Sequence, residues 1–112
     1  MLSDDVTWHV PGHSAIAGDY RGRDDVLRYF ARRRELADAT FRIEVRGVLA
    51  DDERAVILAT CEVRHGGETL AWSTVAIFRI ANGRIAECWM TPYDQQAFDG
   101  IWSSAAAPGE RL

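Results

Sequence analysis

The chain has no lysine: its 13 basic residues are all arginine, and they lie scattered among 17 acidic residues for a formal net charge of −4. A nucleic-acid partner calls for a basic patch or stripe, so none is expected. The one dense cluster, Arg32, Arg33 and Arg34, falls late in a predicted helix and reads as a solvated face that complements the helix dipole. Cysteine is scarce as well. Cys61 and Cys88 stand far apart in no CxxC arrangement, which leaves no zinc knuckle or redox motif and suits free thiols packed in strands. No apolar run approaches the ~20 residues that span a bilayer, and the opening MLSDDV carries acids where a signal peptide carries bases. No membrane association is expected, and the expected location is the cytoplasm. Internal repeats are absent from the sequence, and low complexity is confined to its end.

What is present suits one globular domain: 112 residues, of which 47% are apolar and 27% charged, enough to bury a real core. Val6, Trp8 and Val10 alternate with Thr7 and His9, predicting a short strand that Pro11-Gly12 breaks. Gly22 precedes a helix predicted from about Asp24 to about Asp38, with Asp24 and Asp25 in its first turn. Val26, Leu27, Phe30 and Ala31 follow at helical spacing, with Leu36 and Ala37 beyond. From Thr40 to Asp94 the pattern is strand. Phe41, Ile43 and Val45 alternate with arginines and a glutamate, Asp51-Asp52 makes a turn, and Gly66-Gly67 and Asn82-Gly83 are hairpin signals. A short strand, a helix and four antiparallel strands predict an α+β domain whose strongly bent antiparallel sheet wraps around the helix. The domain is expected over residues 3–103, with 104–112 as a disordered tail.

Three strings, DDVTWHVPG, AGDYRGRDDVLRYF and FRIANGRIAECWMTPYDQQAFD, resemble the nuclear transport factor 2-like superfamily in its SnoaL-like or ketosteroid isomerase-like branch. The most specific pieces are the G-x-Y-R-G-R-D step from Gly18 to Asp24 and the R-I-x-x-G-R-I-x-E-x-W hairpin from Arg79 to Trp89. The resemblance runs from about Asp4 to about Trp102. It implies a conical barrel, a cystatin-like α+β roll with an apolar pocket inside the cone. Such proteins include isomerases, polyketide cyclases, dehydratases and epoxide hydrolases, alongside binding and assembly proteins that catalyse nothing, so fold alone does not choose among them. Family members usually carry one or two helices ahead of the segment that here starts at Met1. The pocket is then expected to be open on that side, covered by a partner chain, or closed by a longer natural chain.

Aligned on the hairpins, the base of the ketosteroid isomerases falls at Val10 and their protonated acid at Ala76, and the acid–base position of the polyketide cyclases falls at Met90. None of the three is a carboxylate. Arg42, Arg46, Arg64 and Arg79 read as solvent-facing, which leaves no converging aspartate–arginine–aspartate trio of the epoxide hydrolase kind. The same alignment turns Val10, Ala59, Cys61, Val63, Trp72, Thr74, Ala76, Cys88 and Met90 inward. Several are small and leave volume for a ligand; with Trp8 and Tyr20 they make the expected ligand-binding set, Val63 excepted.

His13, just past the Pro-Gly turn, and Asp94, where the last strand ends, are the candidate catalytic groups. A surface loop histidine and an aspartate that caps or turns the chain toward the C-terminal segment are their bland alternatives. His9 should point away from the pocket. It and His13 are spaced i, i+4, but Pro11-Gly12 prevents the helix that would align them, so no metal is expected, and no cofactor either. The function expected is a pocket for a small apolar molecule, polyketide-, terpene- or steroid-like, with isomerase, cyclase or dehydratase chemistry. The alternative is a non-catalytic ligand-binding or dimeric accessory protein. Glu87 and Trp89 should face outward with Ser73, Val75 and Ile77, which predicts a homodimer through the outer sheet face.

Overall fold

Period-two alternation is strongest between Arg54 and Pro92, and there the sheet has its longest strands. In the computed structural model, which describes residues 1–37 and 40–106, the order is β1 (Leu2–Val10), β2 (Gly18–Arg21), α1 (Arg23–Leu36), β3 (Arg42–Ala50), β4 (Arg54–His65), β5 (Glu68–Ala81), β6 (Arg84–Pro92) and α2 (Gln95–Ala106). The strands form one sheet in the order β2-β1-β6-β5-β4-β3. The α+β architecture is the expected one. Both hairpins form as their turn residues dictate: Gly66 and Gly67 have φ of 59° and 83°, Asn82 and Gly83 of 52° and 72°, the paired left-handed conformations of a two-residue turn.

Bending is visible in the register. In β3 the pairing slips between Val45 and Gly47, leaving Arg46 without an opposite residue, and a second irregularity follows Arg79 in β5. Each bulge increases local twist and curls the sheet. The inner face carries Ala59, Cys61 and Val63 of β4, Trp72, Thr74 and Ala76 of β5, and Ala86 and Cys88 of β6, all buried. Helix α1 packs on β1 and β2, and α2 on β5 and β6.

Four features depart from the sequence reading. The sheet is not wholly antiparallel: β1 runs parallel to β6, pairing Trp8 with Cys88 and His9 with Trp89. Strand β2, four residues with a glycine at its start, pairs Gly18 with Val10 and Arg21 with Thr7. It is too short and too polar to register as a period-two run. Helix α2 covers residues read only as a C-terminal segment and continues to Ala106, into the segment expected to be a tail; 107–112, and the expected helix end at Asp38, lie outside the described residues. The buried face of α1 is also rotated from the predicted one. Val26 and Tyr29 are buried while Leu27 is 48% exposed and Ala31 is exposed. The inward stripe therefore runs 26, 29, 30, 33 and 37, a helical i, i+3, i+4, i+7, i+11 series that includes an arginine.

Candidate ligand cavity

Small side chains on a concave sheet leave a void unless something large covers them. Here the void is a cavity of about 280 Å³, near the lower end of the range for small-molecule sites. Its floor is Ile57, Ala59 and Cys61 of β4, Trp72, Thr74, Ala76 and Phe78 of β5, and Met90 of β6. Trp8 of β1, Ile16, and Tyr29, Phe30 and Arg33 of α1 form one wall, and Phe98 and Trp102 of α2 another. Phe41 with Ile43 and Val45 of β3 borders the remaining side. Ile43 and Val45 are each 54% exposed although they face the cavity, so the open side runs along this edge strand.

The wall is aromatic. Trp72 meets Phe98 and Trp102 edge-on, both with ring centroids 5.6 Å apart, and Phe41 lies 5.8 Å from Trp72 and 6.0 Å from Trp102. Trp8 stands edge-on to Phe30 at 5.0 Å. The indole Nε1 of Trp8, Trp72 and Trp102 and the Oγ1 of Thr74 are buried without a hydrogen-bond partner among the described residues. Buried polar groups are nearly always paired; these four are exceptions, each packed out of contact with the open space of the cavity.

Among the described residues Arg33 is the one formally charged side chain on the wall. Its guanidinium carbon sits 4.4 Å from the Phe41 ring centroid, 5.1 Å from Phe30 and 5.3 Å from Tyr29, within cation–π range of all three. Nη1 points at the Tyr29 hydroxyl oxygen over 3.5 Å. Burial raises the Tyr29 pKa, so this phenol keeps its proton. Burial likewise pushes the Cys61 thiol up to about 11 and Cys88 to about 12, making both poor nucleophiles at neutral pH.

Of the expected ligand-binding residues, Trp8, Ala59, Cys61, Trp72, Thr74, Ala76 and Met90 line the cavity. Three do not. Val10, 3% exposed, and Cys88, fully buried, are sealed in the core behind the wall. Tyr20 backs Tyr29, stacked on it at 4.5 Å, with its hydroxyl donating to the Ile16 carbonyl. Neither candidate catalytic group reaches the cavity wall. Asp94 is exposed and caps α2, its Oδ1 accepting from the Ala97 N–H at 3.1 Å. His13 is exposed too; its backbone N–H donates to Asp99 Oδ2 of α2 at 3.1 Å, and Gln95 Nε2 holds the Pro11 carbonyl at 3.2 Å. That latch fits only a glycine at position 12, where φ is 97° and a Cβ would lie 2.2 Å from Asp99 Oδ1. Arg33, read from sequence as part of a solvated cluster, is instead half-buried. Its position seven residues after Val26, on the inward stripe, was the available signal. Among the described residues no group of three or more His, Cys, Asp or Glu gathers as a metal site would require. No helix of the described residues is long and apolar enough to cross a membrane.

His9 points to the outer face, as its alternation with Trp8 and Val10 predicts. Nδ1 contacts Asp19 Oδ1 at 2.7 Å and Nε2 contacts Glu87 Oε2 at 2.6 Å, while Trp89 stacks on the ring at 5.5 Å. Burial, the largest influence, lowers its pKa, but the two carboxylates together outweigh it and the net shift is upward. The stability gained is complete below the unfolded-state value of about 6.5 and is lost as pH rises through the higher folded-state value. Calorimetric melting is therefore expected to show Tm falling from about pH 6 to about pH 8, with His9→Gln flattening that slope. An unchanged slope would show the imidazole does not couple to folding.

Over residues 1–88 the chain matches the SnoaL-like domain family. It is 27% identical over 103 residues to the uncharacterized protein Rv0034 of Mycobacterium tuberculosis, covering 91% of this chain and 79% of that one. Bal32a, a protein from a soil-derived mobile gene cassette, has a similar structure, with a TM-score of 0.84 at 31% identity over 90% of this chain and 78% of its own. A protein of unknown function with a cystatin-like fold from Xanthomonas campestris gives a TM-score of 0.82 at 29% identity over 90% of this chain and 79% of its own. Matched over most of its length, and built as a bent sheet closed by helices around an apolar cavity, the chain belongs to the SnoaL-like domain family.

Proposed function

We propose that this chain binds a small apolar molecule, of polyketide, terpene or steroid character, in the cavity between the inner sheet face and the two helices. The observation that carries the reading is the wall itself: an apolar, largely aromatic cavity of about 280 Å³. A ligand with an apolar body would fill such a volume. Acid–base turnover is the weaker part of the expectation. His13 and Asp94 stand at the surface, and among the described residues no carboxylate or imidazole lines the cavity. Binding is thus the reading the geometry supports best.

An NMR titration with 2-naphthamide, a neutral bicyclic probe, tests it. The indole N–H resonances of Trp8, Trp72 and Trp102 are expected to shift together and saturate. At about 0.3 kcal/mol per non-hydrogen atom, the modest end of ligand efficiency, the Kd is about 1 mM or tighter. Shifts confined to the outer face around Trp89 would overturn the reading.

A further inference from the structure

Among the described residues the cavity wall carries one charged side chain, and that charge is positive. Arg33 occupies an inward position of α1, where an aliphatic residue would have given a sealed wall. Three aromatic rings pack around its guanidinium, at 4.4, 5.1 and 5.3 Å, and hold it in place. No carboxylate among the described residues pairs with it: every ion pair present involves other groups. Of its five N–H donors, one makes the long contact to Tyr29. Arg33 also lines a separate surface pocket with Arg34, Phe30 and Phe41.

A guanidinium held between rings beside an apolar chamber, with one long contact to Tyr29 and its other donors free of protein partners among the described residues, is a fitting for a planar anionic group. Guanidinium and carboxylate match edge to edge, and the charge-assisted hydrogen bonds so formed are stronger than neutral ones. The Tyr29 oxygen lies 3.5 Å from Nη1, so one ligand oxygen can meet both side chains, accepting from the guanidinium and from the phenol. We infer that the molecule held by this cavity is a monoanionic acid, an apolar ring-containing body whose carboxylate is held by Arg33 and Tyr29. Its body would lie toward Trp72 and Thr74. The inference rests on the cavity-binding reading above and narrows it from apolar molecules in general to amphipathic carboxylic acids.

The test compares 2-naphthoate with 2-naphthamide, which share one ring system and differ in charge. By NMR titration at low ionic strength the wild-type protein is expected to bind the acid about tenfold more tightly than the amide, with that preference shrinking in high salt. Arg33→Met, which keeps the apolar stem, is expected to weaken the acid more than the amide and so to erase the acid's tenfold preference. Arg33→Lys is expected to keep part of the preference, because it keeps the charge but not the fork. Equal wild-type affinities for the two probes, or a preference that survives in Arg33→Met, would overturn the acid inference and leave cavity binding intact. If neither probe moves the three indole resonances, the cavity-binding reading fails, and the inference falls with it. The wild-type comparison stands even if a variant does not fold.

Discussion

Trp102→Ala is expected to destabilise the protein by about 3–5 kcal/mol, the range for removing a large aromatic residue from a core. Trp102 is fully buried, and its ring meets Trp72 at 5.6 Å, Phe41 at 6.0 Å and Phe98 at 6.4 Å. With Phe98 it anchors α2 on the sheet, so truncation empties the contact that holds a whole wall in place. In a domain of this size a loss of 1 kcal/mol lowers Tm by roughly 4–8 °C, and a drop of more than about 10 °C should follow. Trp102→Phe offers a sharper comparison. The indole N–H has no partner among the described residues, so the smaller ring removes an orphan donor along with some volume and should cost well under half as much. Urea unfolding of both variants measures the difference. A Trp102→Ala loss below about 1 kcal/mol, the size of an ordinary surface effect, would mean α2 is not a structural wall.

Ala76→Phe should abolish binding of 2-naphthamide, by about a hundredfold or more, while leaving the fold intact. Ala76 faces the cavity from the middle of β5, between Ile57 of β4 and Met90 of β6. A phenyl group built there enters existing empty volume. Its burial is worth about 1.5–3 kcal/mol, set against about 1–3 kcal/mol for any overpacking. The two nearly cancel, and unfolding free energy should change little. The neighbouring Ser73→Phe, on the outer face of the same strand, is the control and should bind as wild type. Undiminished binding in Ala76→Phe would place the ligand outside the cavity and remove the basis of the proposed function. The paired design separates loss of a site from loss of a protein, because stability and binding are read on the same samples.

The legible part of the site was its sheet. Period two is a local property of a strand, so Ala59, Cys61, Trp72, Thr74, Ala76 and Met90 could be turned inward from alternation and hairpin register alone. Val10 and Cys88 were assigned to the correct face but the wrong depth, because alternation tells which side a residue faces and not whether a helix seals it there. The helical contributions were less legible. On α1 the adjacent apolar pairs Val26-Leu27 and Phe30-Ala31 allow two readings of the buried stripe, and only docking on β1 and β2 selects the one that runs through Tyr29 and Arg33. On α2, Phe98, Ile101 and Trp102 have helical spacing, but Gly100 and two serines interrupt the sequence signal, and tertiary packing overrides that weak propensity.

By itself the sequence determined the order of elements from α1 to β6, the two hairpin turns, the inward face of β4 to β6 and the family signature from Gly18 to Asp24 and Arg79 to Trp89. Each of those depends on interactions over a few residues, or on a turn whose positive φ admits few residue types. The tertiary structure decided the rest. It laid β1 parallel to β6, drew the His13 backbone into the anchoring of α2, and brought Arg33 among Phe30, Phe41 and Tyr29 beside the cavity. Those placements join residues distant in sequence or depend on how a helix docks, and a local pattern carries no record of which distant side chain will stand opposite.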